Sequence, residues 1–310
     1  MAAPSAQGPP RRAASRALRP LIAALAATLA SACVQAAEPI TVKLWPRGAP
    51  EPAGYVPAPE AIVPKMDGKQ VRLINVSEPT ISIYRPQRPN GTAVLVAPGG
   101  AYSFLAIEHE GTQVCERLAA LGVTCALLRY RVPLRSPEDP GREALQDAQR
   151  AMALLRRGAA DWNFKPDRVG LLGFSAGGHL AVSMALQSNP RTYVIDRSLD
   201  VDDVTPNFVV AVYPAYLVDQ PDSFRLQPSF KVTATAPPLC LIHADDDNGP
   251  STSAGSALLY LEYKKRNRPV ELHIYAKGGH GFGLKPLDLP AADWLLRVSD
   301  WMRTMGWMGS

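Results

Sequence analysis

The stretch VGLLGFSAGGHLAVSMAL, residues 169–186, places one serine between two glycines at the boundary between two apolar runs. Residues 169–174 are apolar and rich in β-forming side chains, which is typical of a buried parallel strand. Residues 176–186 carry apolar side chains at helical spacing. The stretch therefore predicts a strand, a tight turn and a helix, with Ser175 on the turn.

The serine and its neighbours, Gly173-Phe174-Ser175-Ala176-Gly177, follow the pattern Gly-x-Ser-x-Gly. Between a strand and a helix, the flanking glycines remove side chains that would collide across the turn, and the serine takes a strained conformation. Its hydroxyl then projects at a helix N-terminus, where backbone N–H groups attract negative charge. An ordinary turn with a capping serine is the alternative, so catalysis also requires a base, an acid and an oxyanion site.

A histidine and an acidic cluster follow the last two predicted strands. The run AKGGHGFGL places His280 among glycines, in a loop with the freedom to reach the serine. Asp245, Asp246 and Asp247 lie between the serine and the histidine, which is the chain order of this kind of serine site. Only one carboxylate can orient the imidazole, so the other two have different roles. A metal site formed by His243 and the cluster is disfavoured, because the run has no recognised ligand spacing.

A glycine-rich turn supplies a candidate oxyanion site. In the run VLVAPGGAYSF, Gly100 and Ala101 follow the strand predicted at residues 92–97. Their backbone N–H groups can face the N–H of Ala176 across the serine, and such N–H pairs stabilise the oxyanion that forms during acyl transfer. Each part alone is weak evidence, whereas four parts in order at strand ends indicate a serine hydrolase.

Strands and helices alternate along most of the chain, which predicts a mainly parallel sheet with helices on both faces. Residues 38–69 are rich in proline and glycine and are expected to wrap the surface, and residues 71–76 and 80–85 are expected to form a hairpin. The other predicted strands are residues 92–97, 123–130, 169–174, 208–213, 238–243 and 270–275, and the predicted helices are residues 109–121, 142–159, 176–188, 252–266 and 291–305.

The charge of the chain gives no case for a nucleic-acid or anionic-membrane partner. The 310 residues carry a formal charge of +5 and are 46% hydrophobic. Four arginines precede the first acidic residue, and removing their charges from +5 leaves +1. A nearly neutral remainder of this length predicts a globular core and no electrostatic attraction to polyanions.

The first 36 residues have the features of a secretory signal peptide. An apolar run at residues 21–34 follows the arginines, is too short for an ordinary membrane span, and ends in small residues that suit cleavage near Ala36. We therefore expect an exported protein, periplasmic or secreted. A lipid anchor at Cys33 is the alternative, which ranks second because Ala30 stands where leucine is more usual.

Three cysteines follow the leader, Cys115, Cys125 and Cys240, and each lies within an apolar segment. Export to an oxidising compartment permits a bridge between Cys115 and Cys125. We favour three small buried thiols, because free cysteine is among the most buried residue types.

With these residues in view, the chain resembles the α/β-hydrolase superfamily, and within it the exported bacterial acetylxylan esterases and feruloyl-esterase-like proteins. The resemblance implies a mainly parallel eight-stranded sheet with no large cap domain, in a catalytic domain at residues 37–310. Relatives have glycine where this chain has Ala101, and their pattern places the acid at Asp247, four residues after the histidine of HADDD. Asp246 stays open, because Asn248-Gly249-Pro250 replaces the usual apolar stretch. The motifs that carry the resemblance are LWPRGAP, NGTAVLVAPGGAY, HEGTQV, LLRYRVP, DAQRAMALLRR, RVGLLGFSAGGHLA and VELHIYAKGGHGFG.

The resemblance also implies the chemistry of the site. It implies a serine esterase that forms an acyl-enzyme and needs no metal or organic cofactor. The implied roles are a catalytic triad of Ser175, Asp247 and His280, and an oxyanion hole formed by Gly100, Ala101 and Ala176.

The expected substrate is an acetyl ester of a plant polysaccharide or oligosaccharide such as xylan. Only about twenty residues, 215–235, separate two strands at the point where a lid domain would be inserted, so we expect an open cleft. Tyr102 is expected to stack on a sugar ring of the acylated carbohydrate. The family resemblance, rather than the spacing, carries the carbohydrate assignment, and the oligomeric state stays open.

Other functions stay in view. A feruloyl esterase and a dienelactone-type or peptidase-like hydrolase are alternatives, since a fold does not fix the substrate. A carbohydrate-binding protein with an inactive site is disfavoured, because the serine, the aspartate and the histidine are all present.

Overall fold

The computed structural model describes residues 38–64, 70–187, 190–220 and 223–308. The predicted signal peptide and the alternative lipid anchor at Cys33 lie outside these residues. No helix in the described part of the chain is long and apolar enough to cross a membrane.

The described residues form two β-sheets, one of eight strands and one of two. In chain order the strands are β1 (Ile40–Lys43), β2 (Ala61–Pro64), β3 (Val71–Ile74), β4 (Thr80–Tyr84), β5 (Gly91–Ala97), β6 (Thr124–Arg129), β7 (Phe164–Phe174), β8 (Val209–Val212), β9 (Leu239–Ala244) and β10 (Val270–Tyr275). The larger sheet has the order β1-β4-β6-β5-β7-β8-β9-β10. In this order, each pair of adjacent strands from β6 through β5, β7, β8 and β9 to β10 is parallel. At the other edge, β4 pairs antiparallel with both β1 and β6. The predicted eight-stranded, mainly parallel sheet is confirmed.

Helices cover both faces of the larger sheet. They are α1 (Gln113–Ala120), α2 (Arg142–Arg157), α3 (Ala176–Leu186), α4 (Ser253–Lys265) and α5 (Trp294–Thr304). Buried side chains of α1 and α5 belong to one apolar cluster, and those of α2, α3 and α4 belong to another. A π-helical turn, Glu108–Thr112, leads into α1, and a 3-10 turn, Pro290–Asp293, leads into α5.

Alternation along β5 explains the two clusters. Leu95 and its neighbours two residues away join the cluster of α2, α3 and α4, whereas Val94 and Val96 join the cluster of α1 and α5. Successive side chains of a strand point to opposite faces, so a strand buried on both faces is apolar throughout. Because β5, β7 and β9 are parallel, their carboxyl ends lie at one edge, and the loops that follow them meet there.

The hairpin predicted at residues 71–76 and 80–85 is wrong. β3 pairs with β2 in the two-stranded sheet, whereas β4 pairs with β1 and β6 in the larger sheet. The side chains of Ile81 and Ile83 on β4 are fully buried, so β4 is stabilised by core packing on the larger sheet rather than by its sequence neighbour. Residues 38–64, expected only to wrap the surface, supply both unforeseen partners, β1 and β2.

The three-thiol expectation is also wrong in part. Cys115 of α1 and Cys125 of β6 form a disulfide, with their Cα atoms 5.1 Å apart. The helix packs on this strand, which brings the two side chains together within the apolar layer. Cys240 is a buried free thiol, as expected.

Candidate active site

The serine turn has the strained geometry that its sequence predicts. Ser175 lies between β7 and α3 with φ 53° and ψ −117°, a region that residues with a side chain rarely adopt. A Cβ at Gly173 would collide with the carbonyl oxygen of Gly177, and a Cβ at Gly177 would collide with that of Ala97. The two glycines are therefore required for the strand to turn into the helix with the serine at its tip.

Three predicted site residues are brought together in one hydrogen-bonded series. Ser175 Oγ lies 2.8 Å from His280 Nε2, and His280 Nδ1 lies 2.7 Å from Asp247 Oδ2. Ser175 is 8% exposed and the His280 side chain 42% exposed, so the imidazole lies at the solvent edge of the site. This is the geometry that a nucleophile, a base and an orienting carboxylate require.

The carboxylate of Asp247 is buried and held from several sides. Besides His280, Oδ2 accepts the hydroxyl of Ser251 at 3.1 Å and lies 3.3 Å from Nε2 of His243. His243 is itself fully buried, and its Nδ1 lies 2.8 Å from the hydroxyl oxygen of Ser256. Burial alone would raise the pKa of Asp247, but the hydrogen bonds from His243 and His280 outweigh it and lower that pKa.

The three adjacent aspartates have three different environments. Asp246 Oδ1 accepts the backbone N–H groups of Gly278 and Gly279, at 2.9 Å and 2.8 Å, and does not face the imidazole. Asp245 is exposed and accepts the hydroxyl of Ser253 at 3.1 Å. Asp247 is thus the member of the cluster that the structure sets beside His280.

The predicted oxyanion residues lie around Ser175. Gly100 has φ +136°, and a Cβ there would collide with the carbonyl oxygen of Phe104. Ala101 also has a positive φ, 53°. Among the described residues, no hydrogen bond uses the N–H of Gly100 or Ala101. Ala176 opens α3, where the N–H groups of the first turn have no partner within the helix.

Two cavities share Ala101 in their linings. This residue belongs to the turn at residues 99–101 that carries the predicted oxyanion donors, called the oxyanion turn below. A cavity of about 230 Å³ is lined by Ser175, His280, Ala101 and polar side chains that include Arg72 and Lys285. A larger cavity, about 470 Å³, shares the lining residue Ala101 with the first. Its aromatic and imidazole lining consists of Tyr102, His179, Tyr216 and Phe230.

The structure corrects the expectation that Tyr102 stacks on a sugar. Tyr102 is only 2% exposed, and its hydroxyl lies 2.7 Å from Nδ1 of His179. Its ring packs against Tyr130 and in parallel with Tyr216, so it is not an open stacking platform. Phe104 is partly exposed, but the guanidinium of Arg72 lies 4.2 Å from its ring centre.

Several polar residues at the site were not predicted from the sequence. Glu110 lies beside the oxyanion turn, and Tyr213 lies beneath His280. The motif HEGTQV contains Glu110, but it carries only the family resemblance and predicts no role for this glutamate. Glu110 stands in the polar run EHEGTQ, residues 108–113, so its local sequence contains no signal that its carboxylate is buried.

Comparison with known sequences agrees with this architecture. Residues 94–238 match a family described by its alpha/beta hydrolase fold. The chain is 29% identical to an acetylxylan esterase of Xylanibacter ruminicola over 222 residues, which are 64% of this chain and 43% of that protein. It is 28% identical to Esterase LipC of Mycobacterium tuberculosis over 226 residues, which are 64% of this chain and 55% of that protein. The chain thus spans about half the length of these two relatives.

Comparison with solved structures gives the same result. An acetyl ester-xyloside bifunctional hydrolase from Caldicellulosiruptor lactoaceticus aligns with a TM-score of 0.65 and 28% identity, over 83% of this chain and 100% of that chain. The sheet order, the strained serine turn and the matched sequence all lead to one assignment. The chain has the α/β-hydrolase fold.

Proposed function

We propose that the chain is a serine esterase that removes short acyl groups, chiefly acetyl, from a plant polysaccharide or oligosaccharide such as xylan. The observation that carries this proposal is the hydrogen-bonded series from Ser175 through His280 to Asp247. An acetylxylan esterase and an acetyl ester-xyloside hydrolase among the similar proteins support a carbohydrate ester as substrate.

The proposed reaction is acyl transfer in two steps. His280 Nε2 accepts the hydroxyl proton of Ser175 while Oγ attacks the ester carbonyl, and Asp247 stabilises the imidazolium that forms. The N–H groups of Ala176 and of Gly100 or Ala101 hold the oxyanion, and the imidazolium protonates the departing alcohol. Water, deprotonated by His280, then attacks the acyl-enzyme and releases the acid and the free serine.

The positions of His280 and Ala101 indicate where the alcohol and the acyl group of the ester lie. The imidazolium donates its proton to the alcohol, so the alcohol must lie on the side of His280. The cavity on that side is small and open, with Arg72 and Lys285 in its lining, which suits a sugar that remains part of a longer polymer. The methyl group of Ala101 narrows the acyl side next to the oxyanion donors, which favours a short acyl group.

One observation favours a second candidate, an esterase for aromatic acyl groups such as ferulate. The cavity beyond Ala101 measures about 470 Å³ and is lined by Tyr102, Tyr216 and Phe230. If the acyl group reaches past the oxyanion turn, this space accommodates an aromatic ring.

We also propose that the protein is exported and works in the periplasm or outside the cell. The disulfide between Cys115 and Cys125 supports this, because such bonds persist in oxidising compartments.

The purified protein and its Ser175→Ala variant, each incubated with native acetylated and feruloylated xylan, test the substrate. We expect acetate release by the wild type alone, measured enzymatically, with little ferulate detected by chromatography. Release of ferulate without acetate would transfer the assignment to the second candidate. Release of neither, with 4-nitrophenyl acetate still cleaved, would remove xylan as the substrate and retain the esterase.

A further inference from the structure

A buried glutamate outside the proposed triad holds the oxyanion turn. Glu110 is 3% exposed, and its Oε2 accepts the backbone N–H of Gly99 at 2.8 Å. A Cβ at Gly99 would lie 2.8 Å from the Cβ of Ser175, so the segment that Glu110 holds packs directly against the serine. Movement of Glu110 would therefore shift Gly99 and displace the N–H groups of Gly100 and Ala101 relative to the serine.

The other oxygen of the same carboxylate is linked by hydrogen bonds to the loop after β10 that carries His280, residues 276–284, called the histidine loop below. Glu110 Oε1 accepts the hydroxyl of Tyr213 at 2.9 Å. The Tyr213 oxygen in turn accepts the N–H of Gly283 at 2.9 Å, three residues after His280. The Tyr213 ring centre also lies 5.1 Å from that of His280. One carboxylate and one phenol thus link the two loops that flank the serine.

The backbone around Glu110 strengthens this link. Glu110 lies on the π-helical turn Glu108–Thr112, and such turns are frequent at functional sites. The carbonyl of His109 on this turn accepts the N–H of Leu284 at 2.9 Å. The π-helical turn therefore contacts both loops. Its backbone carbonyl at His109 binds Leu284 of the histidine loop, and its Glu110 side chain binds Gly99 of the oxyanion turn.

Glu110 is surrounded by both donors and charged groups. Burial raises the pKa of Glu110, while the N–H of Gly99, the hydroxyl of Tyr213 and the nearby side chains of His280 and Lys285 act in the opposite direction. His109 Nε2 lies 3.7 Å from Oε1. A buried carboxylate is unfavourable unless its oxygens are hydrogen-bonded, and here both oxygens bond to groups that fix the two loops.

We propose that Glu110 is a positioning residue which, through Tyr213, fixes the separation between the oxyanion N–H groups and the His280 imidazole. It acts through Gly99 and Gly283 and does not touch the reacting atoms. The inference rests on the proposed function, because the groups that it positions are those assigned to ester hydrolysis.

The direct test replaces Glu110 by glutamine. Glutamine has the same shape, but its NH₂ group cannot accept a hydrogen bond, so one of the two links is lost. We expect kcat for 4-nitrophenyl acetate to fall by about 10- to 100-fold with KM within about threefold, because misplacement by about 1 Å costs this much. Glu143→Gln is the matched control, since Glu143 is 4% exposed, lies on α2 and accepts the Ser136 hydroxyl away from the site.

A second variant separates positioning from general stability. Tyr213→Phe keeps the buried ring and removes only the oxygen between Glu110 and Gly283. If the two residues act as one link, the loss of kcat in the double variant is smaller than the product of the two single losses. Losses that multiply independently, at equal melting temperatures, would contradict the shared link.

Hydrogen exchange gives a readout that does not depend on activity. In Glu110→Gln, we expect faster exchange in peptides that contain Gly99 and Gly283, with peptides of β7 and the Glu143→Gln control unchanged. Unchanged exchange in both loops, or unchanged kcat, would overturn the positioning role. Retained activity in Ser175→Ala would instead overturn the proposed function, and the exchange result would still decide whether Glu110 holds the loops.

Discussion

The Oδ1 atom of Asp246 accepts the N–H of Gly279 at 2.8 Å, one residue before His280. The same oxygen accepts the N–H of Gly278 at 2.9 Å. Asp246 therefore fixes the backbone of the histidine loop, while its neighbour Asp247 contacts the imidazole itself. Of two consecutive carboxylates, one thus holds the backbone before His280 and the other holds its imidazole.

Asp246→Ala should lower kcat by about tenfold, because the N–H groups of Gly278 and Gly279 lose their shared acceptor and the imidazole is less well placed. Asp246→Asn should have a smaller effect, since its side-chain oxygen still accepts both bonds. Initial rates with 4-nitrophenyl acetate measure this. Asp245→Asn is the control and should be nearly silent, because Asp245 is exposed and its carboxylate accepts the hydroxyl of Ser253, away from the imidazole. Equal damage from all three changes would contradict these separate roles.

Asp247→Asn should reduce kcat by about 10⁴-fold while the protein stays folded. An amide in this position cannot stabilise the imidazolium and favours the wrong tautomer of His280. Steady-state kinetics at saturating substrate, with circular dichroism as the check on folding, measure the loss. A mild effect here, together with a severe one in Asp246→Asn, would move the acid to the neighbouring residue.

The partly buried imidazole of His179 should make stability depend on pH. Desolvation lowers the pKa of His179 to about 4 from its usual value of 6.5, so the folded protein keeps the imidazole neutral where the unfolded chain binds a proton. The contribution is fully present above about pH 6.5, and it is lost as the pH falls from there toward about 4, by at most about 1.4 kcal/mol per pH unit.

Urea unfolding at about pH 7 and pH 5 measures this dependence. His179→Gln should lose less stability between the two pH values than the wild type does, because it has no proton to bind. His273→Gln is the control and should retain the dependence, since His273 is partly exposed on β10 beside Glu271. The same pH dependence in all three proteins would show that His179 does not cause it.

Acetyl esters should be cleaved with a higher kcat/KM than butyryl or octanoyl esters. The Ala101 methyl lies next to the oxyanion donors, and the described residues between β8 and β9 contain no helix that could enclose a long chain. In a deep apolar pocket, each added methylene would instead favour the longer ester by about 1–3 kcal/mol. A series of 4-nitrophenyl esters measures the profile, and activity that rises toward octanoate would contradict a short-acyl site. EDTA should not change these rates, because the proposed reaction uses no metal ion.

The serine turn and the parallel sheet could be predicted because local rules determine them. Gly173 and Gly177 are needed wherever a strand turns at once into a helix, and the apolar run before Ser175 is typical of a strand buried on both faces. Chain order then placed the loops of Asp247 and His280 at the same edge of the sheet. These features depend on spacing, which the sequence contains.

Features set by tertiary contacts could not be predicted in this way. The partner of β4 depends on burial of Ile81 and Ile83, not on the nearest strand in the chain. The disulfide depends on how α1 packs on β6, and the links from Glu110 to Tyr213 join residues 103 positions apart. Spacing patterns contain no information on such pairings, so the prediction that Tyr102 stacks on a sugar did not anticipate that packing buries its ring.

The most direct test of the central claim compares the wild type with Ser175→Ala on 4-nitrophenyl acetate. Ser175 Oγ lies 2.8 Å from His280 Nε2, and alanine removes that oxygen without filling the turn. The account predicts a folded variant, with an unchanged melting profile, whose turnover is lower on the order of 10⁴-fold or more. A folded Ser175→Ala variant with wild-type turnover would contradict the assignment of Ser175 as the nucleophile.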